Sequence, residues 1–180
     1  MPIPQKIQKF LDNNKVKYEP IEHRKVFTAF DKAKTLKVLE KIIGKTLVVR
    51  FDKNVGLVLI PANKMLDKKK LLQVVNKWQN SDGRIRIPRG RAGRDRGLRY
   101  SHADFVKEAW MKKNIKGVKL GAIPPFGILW KIPTFIDRSL MNQQKIVVNV
   151  GDWNWSIKIN PANLKRIIPD LVVGNLSKTR

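Results

Sequence analysis

Apolar residues recur along the chain at two spacings, one typical of helices and the other typical of strands. Helical spacing predicts amphipathic helices over residues 4–14 and 68–78, the second with its lysines on the solvent side. Residue types that favour helix starts predict two more: Thr28 before a short helix, and Asn160-Pro161 before the last helix.

Strands are predicted where β-branched and apolar residues alternate with polar ones or form short runs. These segments are 16–21, 45–51, 57–60, 134–136, 145–150 and 155–159. The turn at 52–56 joins two of them into a hairpin. Strands and helices are interspersed, with no repeated unit. The sequence therefore predicts an α+β (mixed α/β) fold, one domain over residues 1–180 with a curled, barrel-like mixed β-sheet surrounded by helices.

One further helix is predicted after residue 100. Ser101 begins a looser form of the helix-capping pattern, with Asp104 three residues later. The apolar residues that follow, up to Trp110, have the spacing of a helical stripe. We therefore expect a helix capped by Ser101.

Between these elements, residues 84–99 contain seven arginines, three glycines and one acidic residue. This composition has too few apolar residues to build a core. We expect a flexible basic insert at about residues 84–100.

The formal net charge is +24, from 38 Lys and Arg against 14 Asp and Glu in 180 residues. A charge of this size exceeds what solubility requires and indicates a polyanionic partner. RNA is our first choice, ahead of DNA, the ribosome or an anionic membrane surface. The alternative is a lysine-rich surface with no specific partner.

The remaining composition excludes several kinds of site. The chain has no cysteine, which excludes disulfides, thiolate zinc sites and a cysteine nucleophile. Its two histidines are far apart in sequence, which argues against a histidine metal site. The first residues do not resemble a signal peptide, and no apolar run reaches the roughly 18 to 20 residues that a membrane span needs. We expect a soluble cytoplasmic protein that does not bind membranes.

Gly44-Lys45-Thr46 has the last three residues of a phosphate-binding P-loop, but the rest of that motif is missing. The P-loop requires a glycine where this chain has Leu39, and it places its lysine at the start of a helix. Here a β-branched, apolar run follows Lys45, which predicts a buried strand. We therefore reject nucleotide hydrolysis by a P-loop.

The segment 121–127, Gly-Ala-Ile-Pro-Pro-Phe-Gly, predicts a stiff loop. Gly121 permits backbone geometries closed to other residues, whereas Pro124 and Pro125 fix φ and remove two amide donors. The remaining amides can be aimed at a substrate oxygen. The alternative is a rigid connector between a helix and a strand.

The order of these landmarks resembles the YbaK/ProX-type aminoacyl-tRNA deacylases, the family that includes the editing insertion domain of bacterial prolyl-tRNA synthetases. The resemblance covers roughly residues 5–79 and 103–173 and fails across the arginine-rich segment. The matching segments are Val16-Lys17-Tyr18-Glu19, Glu22-His23, Val26-Phe27-Thr28-Ala29, Lys45-Thr46-Leu47-Val48, residues 121–127, Phe135-Ile136-Asp137 and Asn160-Pro161-Ala162-Asn163-Leu164.

The resemblance implies a free-standing domain that hydrolyses the ester of a wrong amino acid on the 3′ end of a tRNA, without a metal, a cofactor or an enzyme nucleophile. Lys45 matches the family's key lysine and is expected to bind the terminal phosphate or ribose. The loop residues Gly121, Ala122 and Ile123 are expected to form an oxyanion hole. The positions that match the border of the aminoacyl pocket are Tyr18, Phe27, Thr46, Pro124, Pro125 and Asp137.

Each assignment has a structural alternative. Lys45 can be an ordinary strand lysine that points to water, Phe27 a core residue, and Thr46 a strand residue bonded to its neighbours. Asp137 can be the cap of a short turn. His23 has no acidic or serine partner suggested by its spacing, so we expect a structural role and exclude it from the catalytic set.

The arginine-rich segment departs from the family pattern. Arginine pairs with phosphates and stacks on bases, so we expect this segment to grip the tRNA near the acceptor stem. The alternative is a solvated insert. Its arginines are Arg84, Arg86, Arg89, Arg91, Arg94, Arg96 and Arg99.

Two functions are consistent with these residues. The first is a trans-editing deacylase that acts on a small wrong amino acid such as alanine or cysteine, with tRNA(Pro) as the carrier that the resemblance implies. The second is a non-catalytic module of the same fold that binds tRNA, the ribosome or an aminoacyl-tRNA synthetase.

Overall fold

The computed structural model describes residues 3–82 and 99–180. The helices are α1 (Gln5–Asn13), α2 (Ala29–Leu36), α3 (Lys68–Asp82), α4 (Glu108–Asn114), α5 (Arg138–Met141) and α6 (Pro161–Ile167). The strands are β1 (Tyr18–Glu22), β2 (Gly44–Phe51), β3 (Asn54–Pro61), β4 (Lys64–Leu66), β5 (Ala103–Phe105), β6 (Thr134–Asp137), β7 (Ile146–Asn149), β8 (Trp155–Ile159), β9 (Val172–Gly174) and β10 (Ser177–Thr179). Short 3-10 helices span Glu40–Ile42 and Gly127–Trp130.

In the described part of the chain these strands form three sheets. The largest has the order β5-β2-β3-β6-β9, in which β3, β6 and β9 run parallel and the other pairs are antiparallel. The second has the antiparallel order β1-β8-β7, and β4 pairs with β10 in the third. The mixed α/β fold is confirmed, with its strands divided among separate sheets rather than closed into one barrel.

The predicted hairpin forms as β2 and β3, joined by a two-residue turn at Asp52 and Lys53. Because side chains alternate along a strand, β2 presents two different faces. One face carries Val49, which packs with the apolar side of α3. The other carries Val48, which packs with Ile123 of the loop 121–127. This hairpin therefore separates α3 from the loop.

A second core lies beneath α1 and α6. Ile7 and Leu11 of α1 and Leu164 of α6 are fully buried against Ile157 of β8. Full burial of each such side chain contributes about 1.5–3 kcal/mol. A bridge from Ile43, just before β2, to β7 connects this part of the molecule to the large sheet.

Two of the predicted caps are confirmed. Thr28 Oγ1 accepts a hydrogen bond of 3.0 Å from the amide of Asp31 at the start of α2. Asn160 Oδ1 accepts one of 2.9 Å from Ala162 at the start of α6. Both helices start where the sequence predicted.

The prediction of a helix capped by Ser101 is wrong. The amides of Ser101 and His102 donate to the carboxylate of Asp52, each at 3.1 Å. This contact places residues 103–105 beside β2, where they form the edge strand β5. The helix α4 begins only at Glu108.

Most of the basic insert predicted at about residues 84–100 lies outside the described residues, so its flexibility stays a prediction. Of its arginines, Arg99 is described and is exposed. Within the described ranges, none of the helices combines the length and the apolar character needed to span a bilayer.

Candidate active site

A cavity of about 210 Å³ lies where α2, the start of β2 and the loop 121–127 meet. Both Lys45 and Gly121, which the sequence motifs singled out, line it. The rest of the wall comes from residues 26–29, Lys32, residues 43–47, Ala122, Asn149 and residues 152–153. Segments that are distant in the sequence therefore converge on one small space.

Lys45 is half-buried on β2, and its ammonium is held by the protein. Strand alternation puts its side chain on the face of Leu47 and Val49, and Nζ donates to the carbonyl of Lys64 at 2.6 Å. Burial lowers the pKa of Lys45, and the nearby charge of Arg180 lowers it further, although Glu40 opposes this. The side chain is therefore no ordinary surface lysine, and its ammonium is directed towards β4.

Thr46 lies on the opposite face of β2, the one that carries Val48 and faces the loop. Its Oγ1 is buried and has no hydrogen-bond partner among the described residues. A buried hydroxyl without a partner costs about 1–3 kcal/mol. Because Thr46 also lines the cavity, this hydroxyl is available to a ligand.

The loop 121–127 is held firmly on one side of the cavity. The amide of Ala122 donates to the carbonyl of Lys119 at 3.1 Å, and the carbonyl of Ala122 accepts from the amide of Gly151 at 2.8 Å. The Ala122 amide is thus already used. The amides of Gly121 and Ile123 have no acceptor within residues 3–82 and 99–180. Of these two residues, Gly121 lines the cavity, with a positive φ of 81°.

Two aromatic rings form the mouth of the cavity. Phe27 is 63% exposed and packs edge-on against Trp153, with the ring centroids 5.5 Å apart. The Lys25 ammonium lies 4.9 Å from the Phe27 ring centroid and 4.2 Å from that of Trp153. Lys119 lies 5.2 Å from the Trp153 ring. Phe27 is therefore not a core residue but part of an exposed surface of rings and cations.

Lys32, which no sequence motif identified, lies in the wall of the same cavity. Its side chain is 6% exposed, and Nζ donates to Asn149 Oδ1 and, at 2.8 Å, to Ser156 Oγ. Burial lowers the pKa of Lys32 to about 8. The sequence held a signal: Ala29, Ala33 and Leu36 form the apolar stripe of α2, and Lys32 falls within it.

His23 is connected to Lys32 through Ser156, whose hydroxyl contacts both side chains. Its Nδ1 lies 2.9 Å from the carbonyl of Arg24 and must donate, because a carbonyl only accepts. Burial lowers the pKa of His23; the Arg24 hydrogen bond opposes this, and the charge of Lys32 adds to it. In the neutral ring, Nε2 therefore accepts from Ser156 Oγ at 2.9 Å. Both ring nitrogens are satisfied, as expected for a structural histidine.

Among the described residues, one carboxylate lines the cavity, and it is paired with a lysine. Asp152 forms a salt bridge of 2.6 Å with Lys119. Burial acts to raise the pKa of Asp152, but the hydrogen bonds from Lys119 and from the Asn154 amide outweigh it and hold the pKa below its usual value. Because it is paired with Lys119, Asp152 forms no salt bridge with Lys32 or Lys45 among the described residues.

Four of the predicted pocket residues do not line this cavity. Tyr18 is half-buried near Asp12, and Pro124 and Pro125 are buried residues of the loop 121–127 itself. Asp137 is 3% exposed and caps α5, accepting from the Ser139 amide at 2.9 Å. A role for these four in binding the aminoacyl group stays a prediction.

No group of three or more His, Cys, Asp or Glu in the described ranges could hold a metal ion.

Sequence similarity to known proteins falls on the same part of the molecule. Residues 97–167 match the model of the aminoacyl-tRNA editing domain. This segment includes the loop, β7 and β8, and thus one wall of the cavity. This part of the chain is therefore similar to aminoacyl-tRNA editing domains. No curated protein is significantly similar to it in sequence.

Solved structures share the fold of almost the whole chain. The hypothetical protein APE2540 is 19% identical with a TM-score of 0.76, over 97% of this chain and 100% of its own. A proposed trans-editing enzyme for prolyl tRNA synthetase is 17% identical with a TM-score of 0.75, over 99% and 98% of the two chains. A proposed signal transduction protein from Marinobacter aquaeolei VT8 contains the fold in 30% of its chain, at 12% identity and a TM-score of 0.61.

Proposed function

We propose that this protein is a trans-editing deacylase, which hydrolyses the ester between a wrong amino acid and the 3′ end of a tRNA. The observation that carries the proposal is that Lys45, Thr46 and Gly121 line one small cavity. Ester hydrolysis needs the substrate held in position and donors for the negative charge that develops on the carbonyl oxygen. The free hydroxyl of Thr46 and the free amide of Gly121 are suitable donors.

The mouth of the cavity suits the nucleotide that carries the amino acid. Aromatic rings stack on unpaired bases, and lysine ammonium groups attract phosphates. Phe27 and Trp153 offer the rings, with Lys25 and Lys119 beside them. In this proposal Lys45 binds the ribose or the terminal phosphate. Its ammonium must then leave the carbonyl of Lys64 and form a hydrogen bond to the substrate instead.

The size of the cavity supports a small amino acid. About 210 Å³ must accommodate an acyl group and the attacking water or ribose hydroxyl. Alanine or cysteine fits this requirement, and tRNA(Pro) is the carrier that we propose, given the fold shared with the proposed prolyl trans-editing enzyme. No protein nucleophile is needed, because water or a neighbouring ribose hydroxyl attacks the carbonyl.

The test is hydrolysis of a panel of mischarged tRNAs by the wild type, Lys45→Ala and Lys53→Ala. Lys53 is exposed in the turn of the same hairpin and serves as the matched control. Loss of a group that holds the reacting ester in position can lower the rate about 100-fold. We expect that loss for Lys45→Ala, with an unchanged melting temperature, and full activity for Lys53→Ala.

The second candidate is the non-catalytic module that binds tRNA, the ribosome or a synthetase. The observation that favours it is the net charge of +24, which supports polyanion binding without any cavity. Tight binding of tRNA with no hydrolysis of any member of the panel would support this module and end the deacylase proposal.

A further inference from the structure

Lys32 carries a charge that the protein buries without an opposite charge beside it. Both of its contacts, Asn149 Oδ1 and Ser156 Oγ, are neutral. Its pKa is lowered by burial alone, with no resolved contribution from a neighbouring carboxylate. A buried ion is expensive to keep, and perturbed ionisable groups in clefts are concentrated at functional sites.

The ammonium has one donor left over. A lysine ammonium has three N–H donors, and Lys32 uses two of them on Asn149 and Ser156. No third acceptor is present in the described part of the chain. Since Lys32 and Asn149 both line the cavity, the remaining donor is available there to a ligand atom.

The hydrogen bonds behind Lys32 fix its position. Ser156 receives a hydrogen bond from Lys32 and must direct its own hydrogen to Nε2 of His23. His23 in turn donates to the backbone of Arg24. The hydroxyl of Ser156 and both ring nitrogens of His23 are thus engaged in this series of hydrogen bonds. We therefore infer that Ser156 and His23 position Lys32 and do not donate protons to the cavity.

Lys32 offers the cavity an ammonium on a different side from Lys45. The ammonium of Lys45 is bound to the carbonyl of Lys64 on the face of β2 that packs towards α3. Lys32 approaches the cavity from α2, on the side of Asn149. A fixed, poorly hydrated cation at this point attracts an electron-rich oxygen and repels a second cation.

We propose that Lys32 is a substrate-binding cation, which holds an oxygen of the acyl group in this cavity and stabilises the negative charge that forms there during hydrolysis. This inference rests on the proposed deacylase function. The competing role is structural, in which Lys32 only joins α2 to β7 and β8.

The two roles predict opposite effects of Lys32→Met, which keeps the length of the side chain and removes the charge. A substrate-binding role predicts a rate of deacylation about 100-fold lower with a melting temperature that is unchanged or higher, because an unpaired buried charge has been removed. A structural role predicts a lower melting temperature and unchanged activity below it. Lys34→Met is the matched control, since Lys34 is a less buried lysine on the same helix.

A second measurement does not depend on hydrolysis. The rate at which each lysine reacts with an amine-acylating reagent is measured by mass spectrometry, with and without 3′-alanylamido-3′-deoxyadenosine. The amide in this probe replaces the scissile ester, so it binds without turnover. We expect the probe to protect Lys32 at least tenfold and to leave Lys34 unprotected.

The outcomes separate the two proposals. If the wild type hydrolyses mischarged tRNA and Lys32→Met does so equally well, Lys32 is structural and the deacylase proposal stands. If the wild type hydrolyses no member of the panel, the deacylase proposal fails. The acylation experiment then decides whether Lys32 binds the probe. Protection of Lys32 supports the binding site, whereas equal reactivity of Lys32 with and without the probe overturns it.

Discussion

At the scale of single residues, two buried charges are held in contrasting ways. Asp137 accepts hydrogen bonds from the amides of Ser139 and Leu176, both at 2.9 Å, and from the hydroxyl of Ser177 at 2.7 Å. Among the described residues, Lys32 has only neutral acceptors, and one of its donors has no partner. The first arrangement favours the charged form of the side chain, and the second disfavours it.

The pH dependence of stability follows from Lys32. Its pKa is about 8 in the folded protein and 10.5 in the unfolded chain. Between these values the unfolded chain binds more protons, so raising the pH stabilises the fold. Lys32→Met lacks this group. We therefore expect the stability of the wild type relative to Lys32→Met to rise by up to about 3 kcal/mol from pH 7 to pH 10.5.

The measurement is urea unfolding of both proteins at pH 7, 8.5 and 10.5. The difference between the two removes the contribution of the other lysines, which both proteins share. A difference that stays constant across this range would show that Lys32 titrates normally.

Asp137 should be important for stability whether or not it binds substrate. Asp137→Ala removes the cap of α5 and leaves the Leu176 amide and the Ser177 hydroxyl without their acceptor. We expect a loss of about 2–4 kcal/mol in the free energy of unfolding. Asp67→Ala is the control, because Asp67 caps α3 at the surface and its loss should cost about 1 kcal/mol. Equal losses would show that the hydrogen bonds from Leu176 and Ser177 add nothing to stability.

At the scale of elements, the sequence predicted those that depend on local signals. The β2–β3 hairpin and the starts of α2 and α6 follow from alternation and capping, both of which act within a few residues. The strand β5 could not be predicted in this way. It exists because Asp52 and β2 hold residues 101–105 beside them, some fifty positions along the chain.

The same limit applies to the candidate site. Lys45 and the loop 121–127 were identified from local motifs and from the resemblance. The direction of the Lys45 ammonium depends on Lys64 in β4, which no pattern indicates. The contact of Lys32 with β7 and β8 depends on how α2 packs, so its burial appears only in three dimensions.

The end of the loop 121–127 should tolerate no side chain. A Cβ atom on Gly127 would lie 2.2 Å from the carbonyl oxygen of Ile132, which the backbone must move to avoid. We expect Gly127→Ala to lower the free energy of unfolding by about 3 kcal/mol. Gly117→Ala is the control: it has space, and its positive φ alone should cost about 1 kcal/mol. Urea unfolding measures both, and equal costs would contradict the steric argument.

At the scale of the whole molecule, the net charge of +24 sets how the protein meets nucleic acid. Each phosphate that a protein neutralises releases counterions, so the logarithm of the affinity falls with the logarithm of the salt concentration. Seven of the 38 Lys and Arg residues lie in residues 84–99, most of which are outside the described part of the chain. Their role in gripping tRNA is a proposal that salt dependence tests directly.

We expect deletion of residues 84–99 to reduce the slope of this plot by roughly 0.7 to 0.9 for each phosphate that the shortened protein no longer neutralises. The measurement is tRNA affinity at several salt concentrations for the wild type and the deletion. Replacing the seven arginines with glutamine keeps the length of the segment and is the control for changes in geometry. An unchanged slope in both variants would show that the segment does not bind tRNA.

The position of Trp153 has a practical consequence. Its indole N–H is fixed to the carbonyl of Leu120 at 2.8 Å, and two ammonium groups lie over its ring at the mouth of the cavity. We expect a nucleotide that enters the cavity to displace those cations or to stack on the neighbouring Phe27, and either event would change the electric field at the indole. The protein thus contains its own optical reporter of occupancy, whose fluorescence can be isolated by converting the other four of its five tryptophans to phenylalanine.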